Sequence, residues 1–182
     1  MRRAAAVMCG VAWLAGAALA ADANLVAKSA DSAIKSAESE IVSLAEAMPA
    51  DKYNFAPKNG VFDGVRTFAE QVKHLAAVNY VVAAAAQGQK PPADTNREKG
   101  PDSAVSKEQI VEFLKGSFAY ARKAAQMLTP ANETDLLPSP FGDKEKVSRV
   151  ELVNIAAWHS FDHYGQMVVY ARMNGVVPPA SR

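Results

Sequence analysis

The sequence is short of the residues that most often carry chemistry. Its 182 residues include one cysteine, Cys9, and three histidines. A single thiol excludes a disulfide framework, and Cys9 falls in a segment that reads as an export signal, so the mature chain is expected to offer no thiol ligand or nucleophile. The basic run that marks a nucleic-acid surface is also missing. Setting aside Arg2 and Arg3, the 20 basic residues become 18 against 19 acidic ones, and aromatic and basic residues nowhere interleave, so nucleic acid is not an expected partner. Long strand-like alternation is absent. The apolar run at the N-terminus is too short to make a retained membrane anchor the better reading. Arg2 and Arg3 form a positive start, Ala4 to Ala17 an apolar stretch, and Ala18, Leu19 and Ala20 a small-residue cleavage site. Residues 1–20 are therefore expected to be a signal peptide. Residues 21–182 are expected to form one exported domain, periplasmic or secreted from a bacterium, with no anchor after cleavage.

What is present is helical punctuation. Ala30, Ile34, Ala37, Ile41, Leu44 and Met48 step by alternating fours and threes up to Pro49, which predicts an amphipathic helix from about Asn24 to Met48. A turn-rich connection, Asp51 to Gly64, follows. Thr67 with Glu70 reads as a capping box opening a second helix that runs to about Gln87, with Gly88 in the stop position. That helix carries two adjacent stripes, one of Phe68, Val72, Leu75, Val82 and Ala86, the other of Gln71, His74, Val78, Val81 and Ala85. So wide an apolar arc predicts burial on two sides. Gln89 to Val105, polar and proline-rich, is expected to be a mobile, solvated crossover loop. Ser106 with Gln109 caps a third helix, carried by Ile110, Leu114, Phe118, Ala121, Ala125 and Leu128 to Pro130. Ala131 to Val147 holds Pro138, Pro140 and Gly142 and is not regular helix. Ser148 and Glu151 cap a last helix to Asn174, stopped by Gly175. Four helices without strands predict an all-α four-helix bundle, although the pattern alone does not fix the packing order.

The last helix has a seam of Leu152, Ala156, His159, His163, Gln166, Tyr170 and Met173, so polar groups occupy the middle of a stripe expected to face the core. Burying such groups without partners costs about 1 to 3 kcal/mol each. His159 and His163, four apart, share a helix face and can reach one ion. His74 holds a comparable place on the second helix. Three readings remain open from the residues alone: a three-histidine metal site, hydrogen-bonded core histidines, and partly exposed ones. A three-ligand site leaves coordination positions open, which is the pattern of a catalytic centre.

The segment Phe68-Ala-Glu-Gln-Val-Lys-His74-Leu-Ala, the pair His159 and His163, then Gly165, Gln166, Arg172, Gly175 and Pro178, resembles the DinB-like (DinB/YfiT) superfamily of metal-dependent enzymes. The resemblance spans about Asn24 to Pro179. It implies a four-helix bundle in up-down-down-up order, and one divalent ion (zinc, nickel or iron) on His74, His159 and His163. It also implies a homodimer. Tyr164 departs from the pattern, standing where members often have a basic residue. Thiol-dependent transfer, known in some branches, is not carried over, because an exported chain would not meet the cytoplasmic thiol pool.

The expected activity is metal-dependent hydrolysis or transfer on a small substrate, with metal-bound water as nucleophile. The alternatives are a non-catalytic metal- or small-ligand-binding envelope protein and a purely structural bundle. Gln166, Tyr170 and Asp162 are the candidate catalytic residues, by their places on or beside the histidine face. Each also has a structural reading: packing for Gln166, a core aromatic for Tyr170, a surface carboxylate for Asp162. Glu70 is explained by its cap. Trp158 is expected to pack on a neighbouring helix. Gly165, costing about 1 kcal/mol relative to alanine within a helix, is expected to mark close approach of another helix or a ligand.

Overall fold

The helix ends are set by the side chains that the sequence places there. In the computed structural model, which describes residues 24–142 and 145–182, Thr67 and Glu70 form a reciprocal capping box at the start of one helix, and Ser106 and Gln109 form another. The proposed signal peptide, with Cys9, lies outside the described residues. Four helices result: α1 Leu25–Ala47, α2 Phe68–Gln87, α3 Lys107–Gln126 and α4 Arg149–Met173. Gly88, at φ +65, and Gly175, at φ +75, take the left-handed conformation that stops α2 and α4. At α4 the cap is one-sided, since Ser148 Oγ accepts from Glu151 N at 3.3 Å without a reciprocal bond.

The packing order follows from which side chains meet. α1 and α2 each pack on both α3 and α4, so α1 and α2 stand on one diagonal. Asn79 meets Ser117, and Tyr120 at the later end of α3 reaches Gln89 just past α2, so α2 and α3 run the same way. Arg122 pairs with Asp31 while Lys115 pairs with Glu46, so α1 and α3 are antiparallel. Gln71 meets Gln166 while the guanidinium of Arg149 binds the Ala86 carbonyl, so α2 and α4 are antiparallel. The bundle is therefore up-down-down-up. The parallel neighbours α2 and α3 require the long 88–106 crossover.

α2 is buried almost all round, as its two stripes predict, with Phe68, Val72, Leu75 and Val82 fully enclosed. Asn79, Ser117 and Ser160, all buried, satisfy one another where α2, α3 and α4 meet. Asn79 donates to Ser117 Oγ and accepts from Ser160 Oγ, both at 3.4 Å. These bonds fix how α4 is rotated against α2.

Two features differ from the sequence reading. Residues 136–138 and 146–148 form a short antiparallel hairpin, β1 Leu136–Pro138 paired with β2 Lys146–Ser148, where no strand was expected. Each strand is only three residues long and β1 ends in proline, so no alternation develops. On α4 the buried stripe is Leu152, Ala156, Ser160, His163, Met167, Tyr170 and Ala171, while Met173 is 49% exposed and Gln166 is exposed. A heptad reading drifts by about 20° per seven residues from a straight helix. The true stripe keeps the period of about 3.6, and His159 and Gln166 move to its edge.

Candidate metal centre

Antiparallel packing of α2 on α4 sets the second turn of one helix against the middle of the other, which brings together three rings that are far apart in sequence. The ring centroids lie 5.2 Å apart for His74 and His159, 4.9 Å for His74 and His163, and 4.5 Å for His159 and His163. One nitrogen from each ring lies within 4.8 Å of one from each of the others. His159 Nε2 and His163 Nε2 are 3.1 Å apart. His74 and His163 are buried and His159 is half-buried. All three sequence-predicted ligands are thus brought to one place.

The far side of each ring differs. His74 Nδ1 lies 2.7 Å from the carbonyl oxygen of Glu98, an acceptor, so the ring is held as the Nδ1–H tautomer with Nε2 free. His163 Nδ1 lies 2.5 Å from Gln71 Oε1, and Gln71 Nε2 donates to Gln166 Oε1 at 2.9 Å. His159 Nδ1 is the buried side-chain polar atom that has no partner among the described residues. Outer bonds of the first two kinds orient metal-binding imidazoles and raise their basicity.

The rings are also neutral, as ligands must be. Burial, followed by the charges that His163 and His74 would carry, pushes His159 down to about 3. Burial, then His74 and Arg66, pushes His163 down to about 4. Burial also lowers His74, opposed by the Glu98 carbonyl. The unfolded reference is about 6.5, so below that pH the unfolded chain binds protons that the metal-free native state refuses. The stability gained by keeping these rings neutral is complete above about pH 6.5. It falls as the pH drops toward the native values, by at most about 1.4 kcal/mol per pH unit for each of His159 and His163 and by less where solvent screens the charge. Urea unfolding of metal-free protein at about pH 7.5 and about pH 5 should show that fall, reduced in His163→Ala; equal stabilities at the two values would contradict it.

The donor set fits a divalent ion. Two imidazole nitrogens bound at about 2.0 to 2.1 Å stand about 2.9 to 3.4 Å apart, from octahedral to tetrahedral angles. The 3.1 Å between His159 and His163 lies inside that range. In the metal-free chain the same distance lets His159 Nε2–H donate to the bare His163 Nε2; an ion between the rings would take both lone pairs instead.

The other candidates fall in different places. Gln166 and Asp162 sit on the exposed shoulder of α4, joined at 3.5 Å, and the Asp162 charge favours the protonated form of His159. Tyr170 is a core residue: it is buried, stacks edge-on against Phe55, and donates its hydroxyl to the Arg66 carbonyl at 3.2 Å. Glu70 is committed to the cap, its Oε2 accepting from Thr67 N at 2.8 Å. Trp158 is 59% exposed instead of packed on a neighbouring helix, and its ring stands edge-on to His159 at 6.0 Å. A side chain at Gly165 would meet nothing within 4 Å, so the expected close approach is absent and nothing in the structure explains that glycine.

Two contributors escaped sequence reading. Gln71 carried a signal, one turn before His74 on the same stripe, and is 2% exposed. Glu98 carried none, because it acts through its backbone. The crossover loop is more than a solvated connection: Asn96, Arg97 and Glu98 are all left-handed, with φ of 40, 51 and 68, and they aim the Glu98 carbonyl at His74. Gly100 N bonds Thr95 O at 3.0 Å and Asn96 Nδ2 bonds Asp102 Oδ1 at 3.0 Å, so the loop is braced from within.

The sequence pattern of the DinB superfamily matches residues 33–167, a span that contains all three histidines. No curated protein matches the chain. Among solved structures, the crystal structure of an uncharacterised protein from Escherichia coli UTI89 is similar, with a TM-score of 0.58 at 16% identity, covering 79% of this chain and 91% of that one. A likeness at that identity speaks for the fold alone.

Proposed function

The chain belongs to the DinB superfamily, and on that premise we propose that His74, His159 and His163 hold one divalent ion, zinc, nickel or iron, in an exported protein that uses it on a small substrate. The observation that carries the metal reading is the 3.1 Å approach of His159 Nε2 to His163 Nε2, with a third ring alongside. Bound there, the ion would supply Lewis-acid chemistry at the positions three protein ligands leave open, which suits hydrolysis or group transfer with water as the nucleophile.

The chain's own residues prepare that place. The Glu98 carbonyl and Gln71 Oε1 accept from the Nδ1–H of His74 and His163, so both rings keep Nε2 for the ion and neither is free to turn. Burial keeps all three rings uncharged, so no ring holds a second proton that a cation would have to displace. Asp162 and Gln166 stand on the exposed shoulder of the same helix, one turn apart and hydrogen-bonded to each other.

A non-catalytic metal- or ligand-binding role is the second reading. It is favoured by the commitment of Tyr170 to a structural bond, which takes one of the three catalytic candidates out of play. A broad screen of esters, amides and phosphoesters separates the two. Turnover that disappears on chelation and in His163→Ala supports the enzyme, and a retained ion with no turnover supports the binder. A wild-type protein that retains no ion overturns the enzyme reading and the metal-binding form of the second.

A further inference from the structure

The hydrogen bonds that hold His163 form a chain with a direction. His163 Nδ1 faces Gln71 Oε1 at 2.5 Å, Gln71 Nε2 donates to Gln166 Oε1 at 2.9 Å, and Gln166 Nε2 donates to Asp162 Oδ2 at 3.5 Å. The first link is buried and the last is exposed. An amide presents a donor and an acceptor on arms of nearly the same shape, so a glutamine does not by itself decide which arm points which way.

The consequence at the ring is large. If both amides turned over, Gln71 would offer its NH2 to His163 Nδ1, and Nδ1 would have to be the bare nitrogen. The proton would then sit on Nε2, the atom that faces His159 Nε2 at 3.1 Å. A protonated Nε2 cannot be a ligand. Such a ring would also donate to His159 Nε2 and force the His159 proton onto Nδ1, which is buried without a partner. An orphaned buried N–H is rarer than an under-used acceptor.

A carboxylate removes the ambiguity because it only accepts. Facing Asp162, Gln166 must present its NH2 there and its oxygen to Gln71; Gln71 must then present its NH2 to Gln166 and its oxygen to the ring. We propose that Asp162 is a positioning residue: acting through Gln166 and Gln71, its exposed carboxylate sets the tautomer of the buried His163 and leaves Nε2 bare where the three rings converge. The purpose of this device rests on the metal reading given above, but the tautomer belongs to the metal-free chain and is measured there.

The test is nitrogen-15 NMR of the histidine side chains in metal-free protein at a pH where the rings are neutral, with cobalt(II) titration of the same samples. Wild type should show His163 as the Nδ1–H tautomer. Asp162→Asn replaces an acceptor with an amide that can point either way, so only the unpartnered His159 Nδ1 still opposes the reversed chain; the Nε2–H form of His163 should become detectable and cobalt affinity should fall, by less than about tenfold. Adding Gln166→Glu to Asp162→Asn puts an acceptor-only group one link nearer and should restore both the single tautomer and the affinity. Asp162 and Gln166 are both exposed, so these variants leave the core intact. The proposal is overturned if Asp162→Asn leaves His163 wholly Nδ1–H, or if Gln166→Glu fails to restore it. Tautomers that behave as expected in a wild type that binds no cobalt would defeat the metal reading and leave this one standing.

Discussion

Loading the metal-free protein with its ion should raise the melting temperature by about 8 to 16 °C at a free-ion concentration a thousandfold above Kd, and His163→Ala should abolish that rise. The size follows from linkage. An ion that binds only the folded state stabilises it by about 4 kcal/mol at that excess, and each kcal/mol moves the transition of a chain this long by about 2 to 4 °C. Binding is confined to the folded state because His74 comes from α2 and the other two rings from α4, and only their antiparallel packing unites them. The comparison is between loaded and chelated samples of each variant, since His163→Ala also strips Gln71 of a partner and changes the metal-free baseline. Equal melting temperatures with and without zinc, nickel and iron would count against a site of any useful affinity.

Gly100→Val should cost about 2 to 4 kcal/mol and also weaken metal binding by about 10- to 100-fold, although Gly100 touches none of the three rings. Gly100 is buried at φ +73, where a β-branched residue is strained. A Cβ there would stand 3.0 Å from Lys73 Cβ, 3.1 Å from the Lys73 carbonyl oxygen and 3.2 Å from the Phe113 ring. Lys73 belongs to α2 and its carbonyl cannot retreat, so the loop must lift. Glu98 lies two residues back on that loop, and lifting it withdraws the carbonyl that holds His74 Nδ1 at 2.7 Å. Urea midpoints and cobalt titration check the two effects separately. A variant that loses stability but binds cobalt as wild type does would show that the loop braces the fold without governing the site.

These two outcomes divide along the line between what the sequence revealed and what it concealed. The bundle, its capping boxes at Thr67 and Ser106 and the His159–His163 pair were legible because each is a local side-chain pattern on one helix. The place of His74 opposite His159 and His163 needed a helix-packing order that periodicity does not fix. Gln71 was visible as a polar residue on the His74 stripe, but α2 is so widely buried that its stripe alone did not point to His163. Glu98 was invisible, because a backbone carbonyl aimed by three left-handed residues has no side-chain signature. Met173 was misplaced because stepping by sevens along a straight helix rotates the assumed face away from the true one, and Trp158 because a large aromatic off that seam was expected to find a neighbouring helix and instead lies exposed beside His159. The hairpin escaped because two three-residue strands are too short to alternate.

X-ray absorption at the zinc edge, on wild type and His74→Ala each offered one equivalent of zinc, tests the shared centre most directly. His74 is the ligand that only the fold can supply. Wild type should show three imidazole nitrogens at about 2.0 to 2.1 Å with the remaining positions filled by oxygen donors, and His74→Ala should show two imidazoles. An imidazole count that does not change when His74 is replaced, or a wild type that releases its zinc on gel filtration, would contradict a three-histidine centre.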